Sequence, residues 1–476
     1  MLARFVELLN QLTDFVGANA MRVKKIMHRK TLFIPAVAFV LLTIMSGLVH
    51  AQQTASAAAD SLTLDQAIEL ALANNHSIKI RAFGVAKAEE DISVAKTRRL
   101  PEIYLYSLLA TNLANGDTKV PNPEANQNPA LGPFFLLTSK RQLSFAFGST
   151  VVQPLTQQYR IGLQIKAERV ERELAHAKLQ QQRNETIEEV KKTYYAILQT
   201  NSAVRSLEEA VKSYQELNKV TGDYVVQQVA LKADHLIVQT RLAKAQYDEL
   251  ELRTQLATQK EKLNSLVGRE VTRDFEVIDA PAFISIDTDL PTARKVALEH
   301  RPELQQGRLT VDEANLARRI KKSEYIPDVS AGFAYLTPRN FQSGLPREYA
   351  NVGIAVKWEV FDWKRKKHEL AAIDNTIEQA KNGLKETEDK VLVDVGDKLR
   401  KLQLTGEALK VAKLAEESAK ENLRVSTGQY KFQAAMLSDV LKYQASLAEA
   451  TNDYQHALLN FWTAKAEYEK ALGENK

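Results

Sequence analysis

The chain of 476 residues contains no cysteine, which excludes disulfides and thiol chemistry, and it carries 64 Lys/Arg against 59 Asp/Glu. The excess of +5 sits at the start: residues 1–51 hold six Lys/Arg and two Asp/Glu, leaving 58 basic and 57 acidic side chains beyond them. So balanced a remainder gives no support to nucleic-acid binding.

Residues 1–51 read as leader and signal peptide. Arg22, Lys24, Lys25, Arg29 and Lys30 precede an apolar run from Leu32 to Val49, and Val49-His50-Ala51 places small residues before Gln52 in the manner of a cleaved secretory signal. An uncleaved inner-membrane anchor is the competing reading, because the run is long for a signal. Met21 is an alternative start to Met1. No later stretch is long and apolar enough to span a bilayer as a helix, so any crossing must be made by strands.

Beyond the leader the chain repeats itself. A shift of 226 positions lays Ala67 on Ala293, Ala71-Leu72 on Ala297-Leu298, Ala88 on Ala314 and Leu100-Pro101 on Ile326-Pro327. A shift of 205 lays Arg160 on Arg365, Asp234 on Asp439, Gln239 on Gln444, Leu242 on Leu447 and Gly268 on Gly473. Two copies of one long unit imply a quasi-symmetric molecule, with a longer loop in the first copy.

The first repeat, 52–268, starts with a helix over 64–98. Strands follow at 102–110 and 142–153. Leu143, Phe145, Phe147 and Val151 alternate with Ser144, Ala146, Gly148 and Thr150, while Tyr104, Tyr106 and Leu108 face away from Ile103, Leu105 and Leu109. The Asn-, Pro- and Gly-rich segment from Thr111 to Lys140 reads as an outward-facing loop. Helices follow over 157–220, which would extend about 95 Å, and over 234–267. They are separated by a break at Thr221-Gly222. No Pro occurs between Pro154 and Pro281, and Ala, Leu, Lys, Glu and Gln dominate, as long helices require.

Residues 269–289 read as a linker. The second repeat, 290–473, offers a helix over 290–323, strands at 328–336 and 349–361 around a loop from Thr337 to Arg347, and helices over 363–426 and 439–472. Val352, Ile354, Val356, Trp358 and Val360 form one greasy face of the last strand. The last helix carries Leu447, Ala450, Tyr454, Ala457, Phe461, Ala464, Tyr468 and Ala471 at three-four spacing, a coiled-coil seam of large knobs and alanine holes. A weaker stripe through Leu441, Ala445, Ala448, Leu459, Trp462 and Ala466 gives it a second neighbour, which a ring of helices needs. A soluble sandwich is the bland reading of the strands, and a filamentous coiled coil that of the helices. The secretory signal favours a membrane barrel. Four strands are half of the smallest closed barrel, so the barrel must be shared between chains.

These residues resemble the TolC-type outer membrane efflux proteins. The features that carry the resemblance are the duplicated helix ending in Leu100-Pro101 and Ile326-Pro327, the strand hairpins, and the tip from Ser426-Thr427-Gly428 to Ser438-Asp439-Val440-Leu441, followed by Gln444-Ala445 and Leu472-Gly473. The resemblance covers about Leu62 to Gly473. It implies a mainly α fold with transmembrane β structure: antiparallel helical hairpins forming an α-barrel, and four strands per chain in a trimeric 12-stranded β-barrel. It also implies a mixed equatorial belt near Gln52 to Ser61 and Val271 to Asp289. The expected protein is a passive, homotrimeric exit duct of a tripartite efflux pump or type I secretion system, set in the outer-membrane lipid of a Gram-negative bacterium with a periplasmic helical extension. Its expected partners are a periplasmic adaptor and an inner-membrane pump. A periplasmic coiled-coil adaptor or scaffold is the alternative, and a secreted soluble repeat protein a third.

Adaptor docking is expected at the tips, about Val220 to Leu236 and Val425 to Leu441, marked by Thr221, Gly222, Thr427 and Gly428. Asp234 and Asp439 stand where helices restart. They read as N-caps, or as a ring of carboxylates at the tunnel mouth, or as both. Arg98-Arg99 and Lys321-Lys322 fall at helix-to-strand junctions. The histidines His76, His176, His235, His300, His368 and His456 read as surface residues without metal-ligand spacing. No catalytic, cofactor or metal site is expected, and no enzyme.

Overall fold

The computed structural model describes residues 61–111, 116–121, 134–139, 143–228, 231–278, 289–339, 348–431 and 436–473. The leader, the equatorial positions 52–60 and 279–288, and the tip positions 229–230 and 432–435 lie outside them. Each repeat opens with two short helices: α1 (Leu64–Asn74) and α2 (His76–Thr97), then α5 (Leu290–His300) and α6 (Pro302–Ser323). Each closes with a hairpin of one long and one half-length helix: α3 (Gln157–Val226) with α4 (Lys232–Val267), then α7 (Arg365–Lys431) with α8 (Leu437–Leu472).

The single helix expected over 64–98 is interrupted at Asn75, whose extended backbone (φ −56°, ψ 130°) ends α1. Its Oδ1 accepts the Ser77 and Ile78 N–H groups as N-cap of α2, and its Nδ2 donates to the Leu266 carbonyl at 2.9 Å. In the second repeat the break falls at the same place for another reason. Pro302 drives Arg301 out of the helical region, to φ −67°, ψ 121°. Each half-length helix ends against this break: Gly268 and Gly473, with φ of 69° and 75°, lie beside Asn74 and His300. A half-length helix and a broken one thus meet end to end alongside a helix that spans about 105 Å.

The strands are β2 (Glu102–Thr111), β5 (Leu143–Pro154), β7 (Asp328–Arg339) and β8 (Tyr349–Lys357), in one antiparallel sheet of order β2-β5-β7-β8. β5 pairs with β7, Phe147 opposite Thr337, so the two repeats join through the middle of the sheet. The last strand stops at Lys357 instead of the expected 361. Within the segment expected to be a loop, β3 (Gly116–Pro121) pairs with β4 (Phe134–Ser139), since Phe134-Phe135-Leu136-Leu137 has strand-forming character.

The core lies where α1, α3, α4, α5, α6, α7 and α8 converge. Two short strands, β1 (Ser61–Leu62) and β6 (Glu276–Val277), pair in parallel across it. The buried Tyr194 of α3 places its hydroxyl 2.9 Å from the Leu62 carbonyl oxygen and 2.7 Å from that of Ile278, fixing this pair to the helix wall. Tyr195 stacks on Trp462 with ring centroids 5.2 Å apart, and Phe461 packs edge-on against the same indole. Phe461, Ala464, Tyr468 and Ala471 of the expected seam are all buried. Trp462 of the second stripe faces α3, so α8 holds a neighbour on each side, α7 and α3.

Candidate channel wall and hairpin tips

Strand register sorts the sheet into two faces. Opposed pairs place Ile103 with Val151, Leu109 with Phe145, Val151 with Phe333, Phe333 with Val352 and Ala331 with Ile354. One face is therefore a continuous apolar band, and its members stay open to the surroundings: Ile103 is 68% exposed, Leu105 70% and Ile354 72%. The other face carries Tyr104, Gly148, Thr150, Gly332, Ala334 and Gly353. A side chain at Gly148 would meet the Tyr106 ring directly opposite, so glycine here makes room for the tyrosine. Among the described residues, β2 and β8 each have a partner on one side only. An exposed apolar face with unpaired edges suits lipid, provided that another chain supplies the missing partners.

The sheet is tied to the helices at one junction. Thr156, just before α3, donates its hydroxyl to the Pro327 carbonyl at 2.7 Å and accepts the Val329 N–H at 2.8 Å. Arg160 pairs with Asp328. The start of one repeat's long helix is thereby fixed to the first strand of the other.

At the core level a charge network joins α3, α7 and α8. Glu188 bonds Lys192 at 2.6 Å and Lys470 at 2.7 Å; Glu467 bonds Lys192 at 3.1 Å, Lys398 at 3.1 Å and Lys401 at 3.0 Å; Lys191 reaches Glu469 at 2.5 Å. Burial works to raise the Glu467 pKa, but the hydrogen bonds from Lys401, Lys192 and Lys398 outweigh it and hold the carboxyl at about 2. Glu188 is likewise pulled below the usual carboxylate range by Lys192 and Lys470 against the effect of burial.

The hairpin tips differ from expectation. Thr221 and Gly222 lie inside α3, which continues to Val226, and Thr427 and Gly428 lie inside α7, which continues to Lys431. A single glycine costs a helix only about 1 kcal/mol, which the coiled-coil packing of such long helices readily offsets. The first turn begins instead at Gln227 and Gln228, the latter with φ of 61°.

Asp234 and Asp439 are not N-caps either. Leu231 and Met436 hold those positions, and each aspartate sits three residues further on, exposed in the first turn. Asp439 Oδ2 reaches back to accept the Met436 N–H at 3.3 Å. Both acids still complement the positive end of their helix.

His235 is not a plain surface residue. Half-buried against Gly222, its Nδ1 lies 3.1 Å from Thr221 Oγ1 and its Nε2 lies 3.0 Å from Gln239 Nε2. The Thr221 hydroxyl is 2.8 Å from the Leu217 carbonyl oxygen and donates there, which leaves its oxygen to accept from the imidazole. The clue in the sequence is Gly222 itself, a residue without a side chain facing an aromatic ring across the hairpin. Gln444, equivalent to Gln239, instead donates to Ser213 of α3 at 2.9 Å and bridges the two hairpins. Between the hairpins lies a groove of about 680 Å³, lined by Leu207, Ala210, Leu252, Leu447 and Ala448, with Asp248 and Glu251 among its acids.

Among the described residues, no cluster of His, Asp and Glu could hold a metal ion, and no helix is long and apolar enough to cross a membrane. A duplicated helix wall carrying an open, lipid-facing sheet defines a segment of a membrane conduit. Comparison with known families gives the particular one: the description "Outer membrane efflux protein" matches residues 67–269 and 293–474, and the chain belongs to that family. Comparison with curated proteins finds no match.

Solved structures share the fold at low identity. The Campylobacter jejuni CmeC outer membrane channel is 14% identical with a TM-score of 0.71, covering 86% of this chain and 85% of its own. VceC from Vibrio cholerae is 16% identical with a TM-score of 0.68, covering 87% and 96%. The open state of the Neisseria gonorrhoeae MtrE channel is 16% identical with a TM-score of 0.65, covering 86% and 89%. The chain is an outer membrane efflux channel of the Gram-negative type, with a periplasmic helical extension, and its family works with periplasmic adaptors and inner-membrane pumps. The adaptor-or-scaffold alternative is not favoured.

Proposed function

We propose that three copies of this chain close one 12-stranded barrel and one helical tunnel, and that the assembly is a passive exit duct with no catalytic chemistry of its own. The observation that carries this reading is the four-stranded sheet whose two edges are unpaired among the described residues and whose one face is greasy. Each edge group left unpaired in hydrocarbon would cost several kcal/mol, so closure by further copies is the stable state. Oligomeric mass in detergent tests it: a chain that is monomeric and soluble without detergent would refute it.

In the same assembly the tips, with Thr221, Gly222, Thr427 and Gly428 on their flanks, receive the periplasmic adaptor, whose helices fit the groove between the hairpins. Three copies of Asp234 and three of Asp439 line the tunnel mouth and favour cations. Their exposure in the first helical turn supports this, although Asp439 also accepts the Met436 N–H of its own helix start. Replacing both by Asn preserves size and should reduce cation over anion selectivity in bilayer recordings. Unchanged selectivity would remove these residues from the mouth.

A further inference from the structure

Strand pairing ends at Lys357, yet the greasy row does not. Trp358 and Val360 continue the alternation of Val352, Ile354 and Val356, and all five are more than half exposed. Phe361 and Trp363 follow, edge to face with centroids 4.7 Å apart, and Trp363 is 85% exposed. Trp363 and Lys364 both have positive φ, 53° and 66°, an uncommon backbone for residues with side chains. The equivalent junction of the first repeat, Pro154 to Gln158, reaches its helix without any such residue. There the first repeat reads Tyr159-Arg160-Ile161-Gly162, whereas the second repeat reads Lys364-Arg365-Lys366-Lys367 at the equivalent positions.

The charges here do not balance. Glu324 pairs with Lys321 at 2.8 Å, Glu359 with Arg365 at 2.6 Å and Lys366 at 3.2 Å, and Glu369 with Lys321 at 2.8 Å and Arg365 at 3.0 Å. Asp328 pairs with Arg160, and Asp362 accepts the Lys366 N–H at 3.0 Å. Four of these carboxylates are ion-paired, and Asp362 is held only by a backbone N–H. Lys322, Lys364 and Lys367 are exposed and have no ion-pair partner among the described residues.

We propose that this junction binds the headgroup of an anionic phospholipid at the periplasmic rim of the barrel, one per protomer, resting on the channel reading of the sheet. Phe361 and Trp363 enter the boundary between acyl chains and headgroups, where amphipathic rings are favoured. Lys364 and Lys367 face the phosphate. An anionic lipid fits better than a zwitterionic one because the surplus is cationic: Lys322, Lys364 and Lys367 outnumber Asp362, the one carboxylate of the junction without an ion pair among the described residues. The two positive-φ residues place an aromatic anchor and a cation side by side.

The chain has three tryptophans, and Trp462 is 3% exposed in the core, so Trp358→Phe leaves Trp363 as the lipid reporter. The full chain is reconstituted into vesicles containing brominated phosphatidylglycerol or brominated phosphatidylcholine, and quenching is read against mole fraction. Trp363 should be quenched at several-fold lower mole fraction of the anionic lipid. Lys364→Gln with Lys367→Gln should weaken that preference by about fivefold per lysine, and the paired Arg substitutions should retain it. Equal quenching by both lipids, or a preference untouched by the Gln pair, overturns the proposal while channel conductance shows the duct to be intact. Loss of the preference in millimolar inorganic phosphate would also overturn it, by assigning the site to free phosphate. Absence of conductance and of membrane insertion would overturn the channel reading, and this proposal with it.

Discussion

Glycine substitutions at helix ends and helix interiors should move stability in opposite directions. At Gly473 an added Cβ would lie 2.8 Å from the backbone carbonyl atoms of His300, and at Gly268 it would lie 2.7 Å from the Asn74 oxygen and Cβ. Both residues also hold left-handed φ, which costs a residue with a side chain about 1–2 kcal/mol. Relieving the backbone overlap adds about 1–3 kcal/mol, so Gly268→Ala and Gly473→Ala should each destabilise by about 2–5 kcal/mol. The sites share no partner and the losses should add. Gly428 is inside α7 with nothing within 4 Å of its missing Cβ, and Gly428→Ala should stabilise by about 0.5–1 kcal/mol. Denaturant unfolding of the detergent-solubilised protein, followed by helical circular dichroism, reads both signs. If Gly473→Ala proved as stable as Gly428→Ala, the end-to-end seating of α8 on the α5–α6 break would be refuted.

Acid should loosen the α3–α7–α8 contact. The Glu467 carboxyl ordinarily titrates near 4.5 and is held at about 2, so its contribution is complete above about 4.5 and is lost as pH falls through 2. The full shift converts to about 3 kcal/mol. Solvent screening reduces it, and Glu467→Gln should cost about 1–2 kcal/mol at pH 7 and little at pH 2, measured by unfolding at both. Tyr194→Phe removes the hydroxyl from the Leu62 and Ile278 carbonyls and should cost about 1–2 kcal/mol. Faster amide exchange around Leu62 and Ile278, with the hairpin tips unchanged, is the expected signature.

Local chemistry in the sequence was enough for the duplication, the long helices, the four alternating strands and the glycines that end α4 and α8. Alternation with period two and seams with three-four spacing depend on near neighbours, and so does the left-handed turn that Gly268 and Gly473 permit. The breaks at Asn75 and before Pro302 are missed by the sequence reading, which has continuous helices over 64–98 and 290–323, because the apolar pattern runs on through both positions. Tertiary structure decided where the hairpins turn, because a glycine such as Gly222 or Gly428 ends a helix only when packing does not carry the helix through it. It decided the pairing of β5 with β7, the link of Lys191 to Glu469 and the bridge from Gln444 to Ser213, since partners more than 150 residues apart leave no periodic trace in the chain.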